Sequence, residues 1–168
     1  ILLLIFHEEK IGKKFISVVI ALFLTGLILE MIGVNTGKIF GAYKYGENLG
    51  PKIFNTPWMI GVNWVMLSYL TASLSKQWIS NNWLRVIYGA FLMLLYDFFL
   101  EQSAPGMDLW SWSSGVVPEL NYISWAIAAI VFQITWHFSG IQLKNKISLV
   151  LFNAMYLFFI ILYLIKMI

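Results

Sequence analysis

Three carboxylates stand inside or at the ends of long apolar stretches: Glu30, Asp97 and Glu101. A charged group at membrane depth costs about 2.5–3.5 kcal/mol on insertion scales, so an acid placed there needs a functional reason. Asp97 and Glu101 are four residues apart and share a helical face, where two carboxylates repel each other. They also fall at the C-terminal end of their apolar segment, beside the negative pole of a helix dipole. Both effects favour the neutral form, so one of the pair is expected to keep its proton and serve as a general acid. The competing reading makes them interfacial residues facing headgroups or water. Glu30 offers the same choice, with Lys38 as a possible loop partner for a plain ion pair.

Aromatic residues gather around the same end of the chain's segments. Trp110 and Trp112 alternate in a short acidic loop, Tyr43 and Tyr45 alternate in another, and Trp58, Trp64 and Trp125 flank them. Aromatic faces stabilise a desolvated cation by about 0.5–2 kcal/mol, the property a carbocation pocket would use. Trp78 and Trp83, at the opposite end, read as interfacial belt residues. His7 and His137 lie far apart in sequence without metal-ligand spacing, and there is no cysteine. Neither a metal site nor a thiol nucleophile is expected, and no cofactor. Gln133 and His137 read as interhelical hydrogen-bonding groups, and Gly26, Gly33, Ala128 and Ala129 as points of close helix approach.

The elements that must position these groups are helices. Of 168 residues, 60% are hydrophobic and 11% charged, and the mean hydropathy is +0.79, far from the composition of a soluble domain. The reading is an all-α, polytopic transmembrane bundle forming one domain over 1–168. Five complete spans are expected, near Phe15 to Val34, Pro57 to Leu74, Trp83 to Leu100, Asn121 to Phe138 and Ile147 to Ile168. The apolar stretch Ile1 to Phe6 reads as the tail of a truncated helix. Pro57 suits a first helical turn, and Asn121 after Pro118 suits a cap.

Loop alternation puts Lys10, Lys13, Lys14, Lys76, Arg85, Lys144 and Lys146 on one face. The other face has Lys38, Lys44 and Lys52 in its first loop and no Lys or Arg between Glu101 and Asn121. The first face is therefore assigned to the cytoplasm, and all three acids to the extracytoplasmic leaflet. The basic residues are spread through short connections, which leaves no patch for nucleic acid.

The residues of the two outer loops and their flanks form an ordered pattern. It runs Glu30, Gly33, Thr36, Gly37, Phe40, Gly41, Tyr43, Tyr45, Leu49 and Gly50, then Pro57, Asn63 and Trp64. It continues with Asp97, Glu101, Ala104, Asp108, Trp110, Trp112, Pro118, Asn121, Tyr122 and Trp125. This pattern, over roughly residues 27 to 137, resembles the carotenoid biosynthesis membrane proteins that include carotenoid end-group hydratases, such as bisanhydrobacterioruberin hydratase. The resemblance implies addition of water across the terminal double bond of an acyclic carotenoid, giving a tertiary alcohol without a redox cofactor. Such chemistry needs an acid able to protonate carbon, surroundings that tolerate a tertiary cation, and a positioned water. Asp97 or Glu101 is the expected donor, with its partner or Glu30 handling water. Tyr43, Tyr45, Asn63, Trp64, Asp108, Trp110, Trp112, Asn121 and Trp125 are the expected substrate-binding residues. A carotenoid cyclase, a proton-coupled transporter and a non-catalytic membrane assembly protein are the competing readings.

Overall fold

The computed structural model describes residues 11–166, and the expected truncated helix at 1–6 lies outside them. Among the described residues there are five long α-helices: α1 (Lys13–Thr36), α2 (Met59–Trp78), α3 (Asn82–Ser103), α4 (Glu119–Phe138) and α5 (Ser148–Lys166). Helix α1 stops where Gly37 turns left-handed, at φ 65°, and its N–H donates to Gly33 O. That is the usual use of glycine at a helix C-terminus. Helix α3 starts on Asn81, whose side chain accepts from the N–H groups of Trp83 and Leu84, satisfying two donors that have no partner within the helix.

Two sequence expectations about helix starts are corrected. Pro57 is not in a first helical turn; it pairs with Lys52 in a small hairpin, and α2 begins two residues later. Pro118, in extended conformation, occupies the cap position of α4, which begins at Glu119. Asn121 is thereby left inside the helix, with its side chain buried.

Helices α1 to α4 pack in sequence order, and α5 returns against α2 and α3, so those two form the centre. Along α2 every residue from Leu67 to Ser75 is buried. Among the described residues, three helices are long and apolar enough to cross a membrane: Lys13–Thr36, Asn82–Ser103 and, in α5, Ser148–Ile165. α2 and α4 also carry polar residues, several of which pair with each other inside the bundle. Gln133 Nε2 donates to Ser68 O at 3.1 Å and Thr71 Oγ1 at 2.8 Å. Trp136 Nε1 donates to Ser68 Oγ, and Ser75 Oγ lies 3.0 Å from His137 Nε2. Polar groups read separately along the chain meet across helices, as expected for Gln133 and His137.

The all-helical expectation needs an amendment as well, because the long connection after α1 and the one after α3 contain short strands. β1 (Tyr43–Tyr45) pairs antiparallel with β4 (Trp110–Trp112), while β2 (Lys52–Ile53) pairs with β3 (Thr56–Pro57). The β2–β3 hairpin turns through Phe54 and Asn55, both with positive φ (48° and 63°), the geometry that suits a two-residue connection. Asn35 at the end of α1 holds this turn, donating to Phe54 O at 2.9 Å and accepting from Asn55 Nδ2.

Candidate active site

The β1–β4 ribbon aims four aromatic side chains into the bundle. Its register places Tyr43 opposite Trp112, Lys44 opposite Ser111 and Tyr45 opposite Trp110. Strand side chains alternate in direction, so both tyrosines and both tryptophans are buried while Lys44 faces outward. The residues beneath them are the two glutamates of the sequence pattern.

Glu30 lies near the C-terminal end of α1. Its Oε2 accepts from Tyr43 Oη and Tyr45 Oη, each at 2.6 Å, and its Oε1 accepts from Trp64 Nε1 at 2.9 Å. Lys38, the ion-pair partner considered from sequence, instead borders a groove between α1 and α4. Burial pushes both phenols upward from their ordinary range, and the adjacent Glu30 carboxylate pushes them further. Tyr43 and Tyr45 are therefore neutral donors, and a carboxylate that accepts three such bonds is well solvated by the protein itself.

Glu101, in the last turn of α3, has a parallel arrangement. Its Oε2 accepts from Trp110 Nε1 at 2.9 Å and Trp112 Nε1 at 2.8 Å, and its Oε1 from Asn121 Nδ2 at 3.2 Å. Asp97, one turn earlier, differs. Its Oδ2 has only a long contact of 3.4 Å to the same Asn121 amide, and among the described residues Oδ1 has no partner. Asp97 is also the most enclosed of the three, with 0% exposure against 5% for Glu30 and 3% for Glu101.

Between the glutamates lies a cavity of about 230 Å³ whose lining includes Glu30, Glu101, Tyr43, Tyr45, Trp110 and Trp112. Asn63, Trp64, Asn121 and Trp125 complete its expected members. Trp125 stacks on Trp64 with centroids 4.0 Å apart, which fixes the indole that donates to Glu30. Small residues permit this crowding. A Cβ on Gly26 would meet the Trp64 side chain at 2.8 Å, and one on Gly33 would meet the Phe40 ring at 2.6 Å.

The cavity thus gathers all but two of the expected catalytic and substrate-binding residues. Asp97 stands behind the wall and reaches it through Asn121. Asp108 is displaced altogether: it sits at φ 50° in the loop before β4, where its carboxylate accepts the Glu47 N–H at 2.9 Å. Its negative charge organises the loop and does not line the cavity. Sequence reading missed Tyr96, Leu100, Leu109, Ile60 and Phe159 as lining residues. Tyr96 and Leu100 flank the acids in sequence and could have been inferred from that. Phe159 comes from α5, outside the segment that carried the resemblance, and only packing places it there.

The aromatic residues also act differently from the expectation based on ring faces alone. Their N–H and O–H groups hold the carboxylates while their rings wall the cavity. The assembly offers space for an apolar group of limited size between two carboxyl groups, each of which meets three donors. No cluster of potential metal ligands occurs among the described residues.

No curated protein and no solved structure matches this chain. A family model described as carotenoid biosynthesis protein matches it over residues 1–168, beyond both limits of the resemblance read from the outer loops. With an acid-lined apolar cavity at its core, the chain belongs to the carotenoid biosynthesis protein family.

Proposed function

We propose that the protein is a carotenoid hydratase that adds water to the terminal double bond of an acyclic carotenoid. The observation that carries this reading is Glu101, which lines an apolar cavity while three neutral donors converge on its carboxyl group. Donors arranged in advance around an acid stabilise the charge that develops as it gives up its proton, without reorganisation at the moment of reaction. Glu101 in its neutral form would deliver a proton to the alkene CH carbon. The opposing Glu30 carboxylate and the aromatic walls would stabilise the tertiary cation. Water would then add to the cationic carbon. Asp97 acts as a positioning residue through the shared Asn121 amide, and Asn63 and Asn121 are the neutral polar groups available in the cavity to orient water as it reaches the cation. No cofactor takes part in this scheme.

The cavity volume fits an end group and not a whole polyene: a cavity of roughly 150 Å³ accepts benzene, and this one is about 230 Å³. The rest of the substrate would remain among the helices or in lipid. We also infer that α2 and α4 complete a five-span bundle, because both pack against apolar spans and turn their polar residues inward. The lysine and arginine distribution supports an extracytoplasmic acid site.

Expression in a host that accumulates an acyclic carotenoid tests the reaction. The expected pigment gains the mass of one or two waters, with oxygen derived from labelled water. The mainly hydrophobic lining favours one second reading, cyclisation, in which the same protonated end group loses a proton instead of gaining water. A cyclic isomer without labelled oxygen would establish that reaction, and unchanged pigment would remove both.

A further inference from the structure

Glu101 and Trp112 border a second pocket, of about 310 Å³, in addition to the end-group cavity. The remaining walls are of different character. The cavity is closed mainly by aromatic and aliphatic side chains, whereas the second pocket is bounded by Gln102, Pro105, Val117 and Tyr122 under the exposed turn at 113–116. One hydrogen bond, from Trp112 Nε1 to Glu101 Oε2 at 2.8 Å, belongs to the boundary of both.

We propose that this outer pocket is the enzyme's water site, holding the co-substrate beside Glu101 and releasing it past the Trp112 indole. The inference rests on the hydration reading above and deepens it. An acid strong enough to protonate carbon, and the cation it creates, need a dry cavity, since free water would take the proton first, yet hydration needs one water at a defined moment. Two compartments sharing one carboxyl group meet both requirements. Water needs polar partners, and the pocket is lined by Glu101 and by Gln102 and Tyr122, whose side chains are hydrogen-bonded to each other and retain further donor and acceptor positions for a water.

The reaction then closes on a single residue. The alkene π electrons take the Glu101 proton, forming a C–H bond and leaving a tertiary cation and the Glu101 carboxylate. A water from the outer pocket gives its oxygen lone pair to the cation, forming the C–O bond, and its surplus proton passes to Glu101. Alkene and water become a tertiary alcohol, and the acid is restored.

The test uses the full chain in membranes, supplied with an acyclic carotenoid in water enriched in deuterium and oxygen-18. Deuterium on carbon counts protonation, whether or not water follows; oxygen-18 in the alcohol counts hydration. Val116→Trp fills the outer pocket from its exposed edge, and Gln102→Leu removes polarity without touching the cavity. In both variants the ratio of oxygen-18 to deuterium is expected to fall roughly tenfold, the scale of one lost polar contact, with deuterated alkene accumulating. An unchanged ratio in both, or equal loss of both labels, overturns the water site. Absence of both labels in the unmodified protein would instead refute the hydration reading itself.

Discussion

Glu101 and Asp97 are one helical turn apart and share the Asn121 amide, but their surroundings assign them different work. Glu101 reaches the cavity and has three donors ready for its anion, whereas Asp97 is enclosed and has one oxygen without a partner among the described residues. Glu101→Gln is therefore expected to lower turnover by about 10²- to 10⁴-fold, the usual contribution of a positioned acid. Asp97→Asn should cost less, because its effect passes through Asn121. Assays of pigment formed per membrane-inserted protein decide the order, and a reversed ranking would move the donor role to Asp97. The phenols on Glu30 give a second prediction. Tyr45→Phe removes one bond to a charged group, about 1.5–3 kcal/mol, and should slow the reaction while leaving insertion unchanged. Normal turnover in this variant would show that Glu30 does not need its full set of donors.

At the scale of elements, the β1–β4 ribbon controls the site, because a one-residue slip of either strand would turn its two aromatic side chains outward. The register pairs Lys44 with Ser111 on the outer face. With no native cysteine in the chain, Lys44→Cys with Ser111→Cys should crosslink under mild oxidation and retain activity. Failure to crosslink in active protein would contradict the register. The contact between α1 and α2 depends on Gly26, where an added methyl group would press on the Trp64 side chain. Gly26→Ala is expected to destabilise by about 1–3 kcal/mol as the core is overpacked. It should also displace the Trp64 indole from Glu30, which thermal unfolding in detergent and tryptophan emission would report. Unaltered stability and emission would mean that the two helices can separate at little cost.

For the whole molecule, orientation across the bilayer has a direct measurement. An impermeant thiol reagent applied to intact cells should label Ser113→Cys near the acid end and spare Ser80→Cys at the opposite end. The reverse pattern would place the reaction on the cytoplasmic side. Much of the architecture behind this prediction was legible in the chain. α1, α3 and α5 announce themselves as long apolar runs, and the three acids stand out because apolar surroundings make a carboxylate expensive. Helical spacing put Asp97 and Glu101 on one face, and loop alternation grouped the connections. Pro57 and Asn121 were misread because proline and asparagine suit several local roles, and neighbouring pairing decides among them.

The division between the two kinds of information follows from the range of the interactions. Sequence alone determined the helical character, the acid-rich end and the residues of the chemical pattern, since hydropathy and helical spacing are local properties. Only the tertiary structure decided that Trp64, Tyr43 and Tyr45 serve Glu30, that Trp110, Trp112 and Asn121 serve Glu101, and that Asp108 serves a loop. It also brought Phe159 of α5 to the cavity. Those partners come from separate helices and from strands with little pattern of their own. Their hydrogen bonds form only after packing has excluded water, when each buried oxygen must take the donor that the fold brings to it.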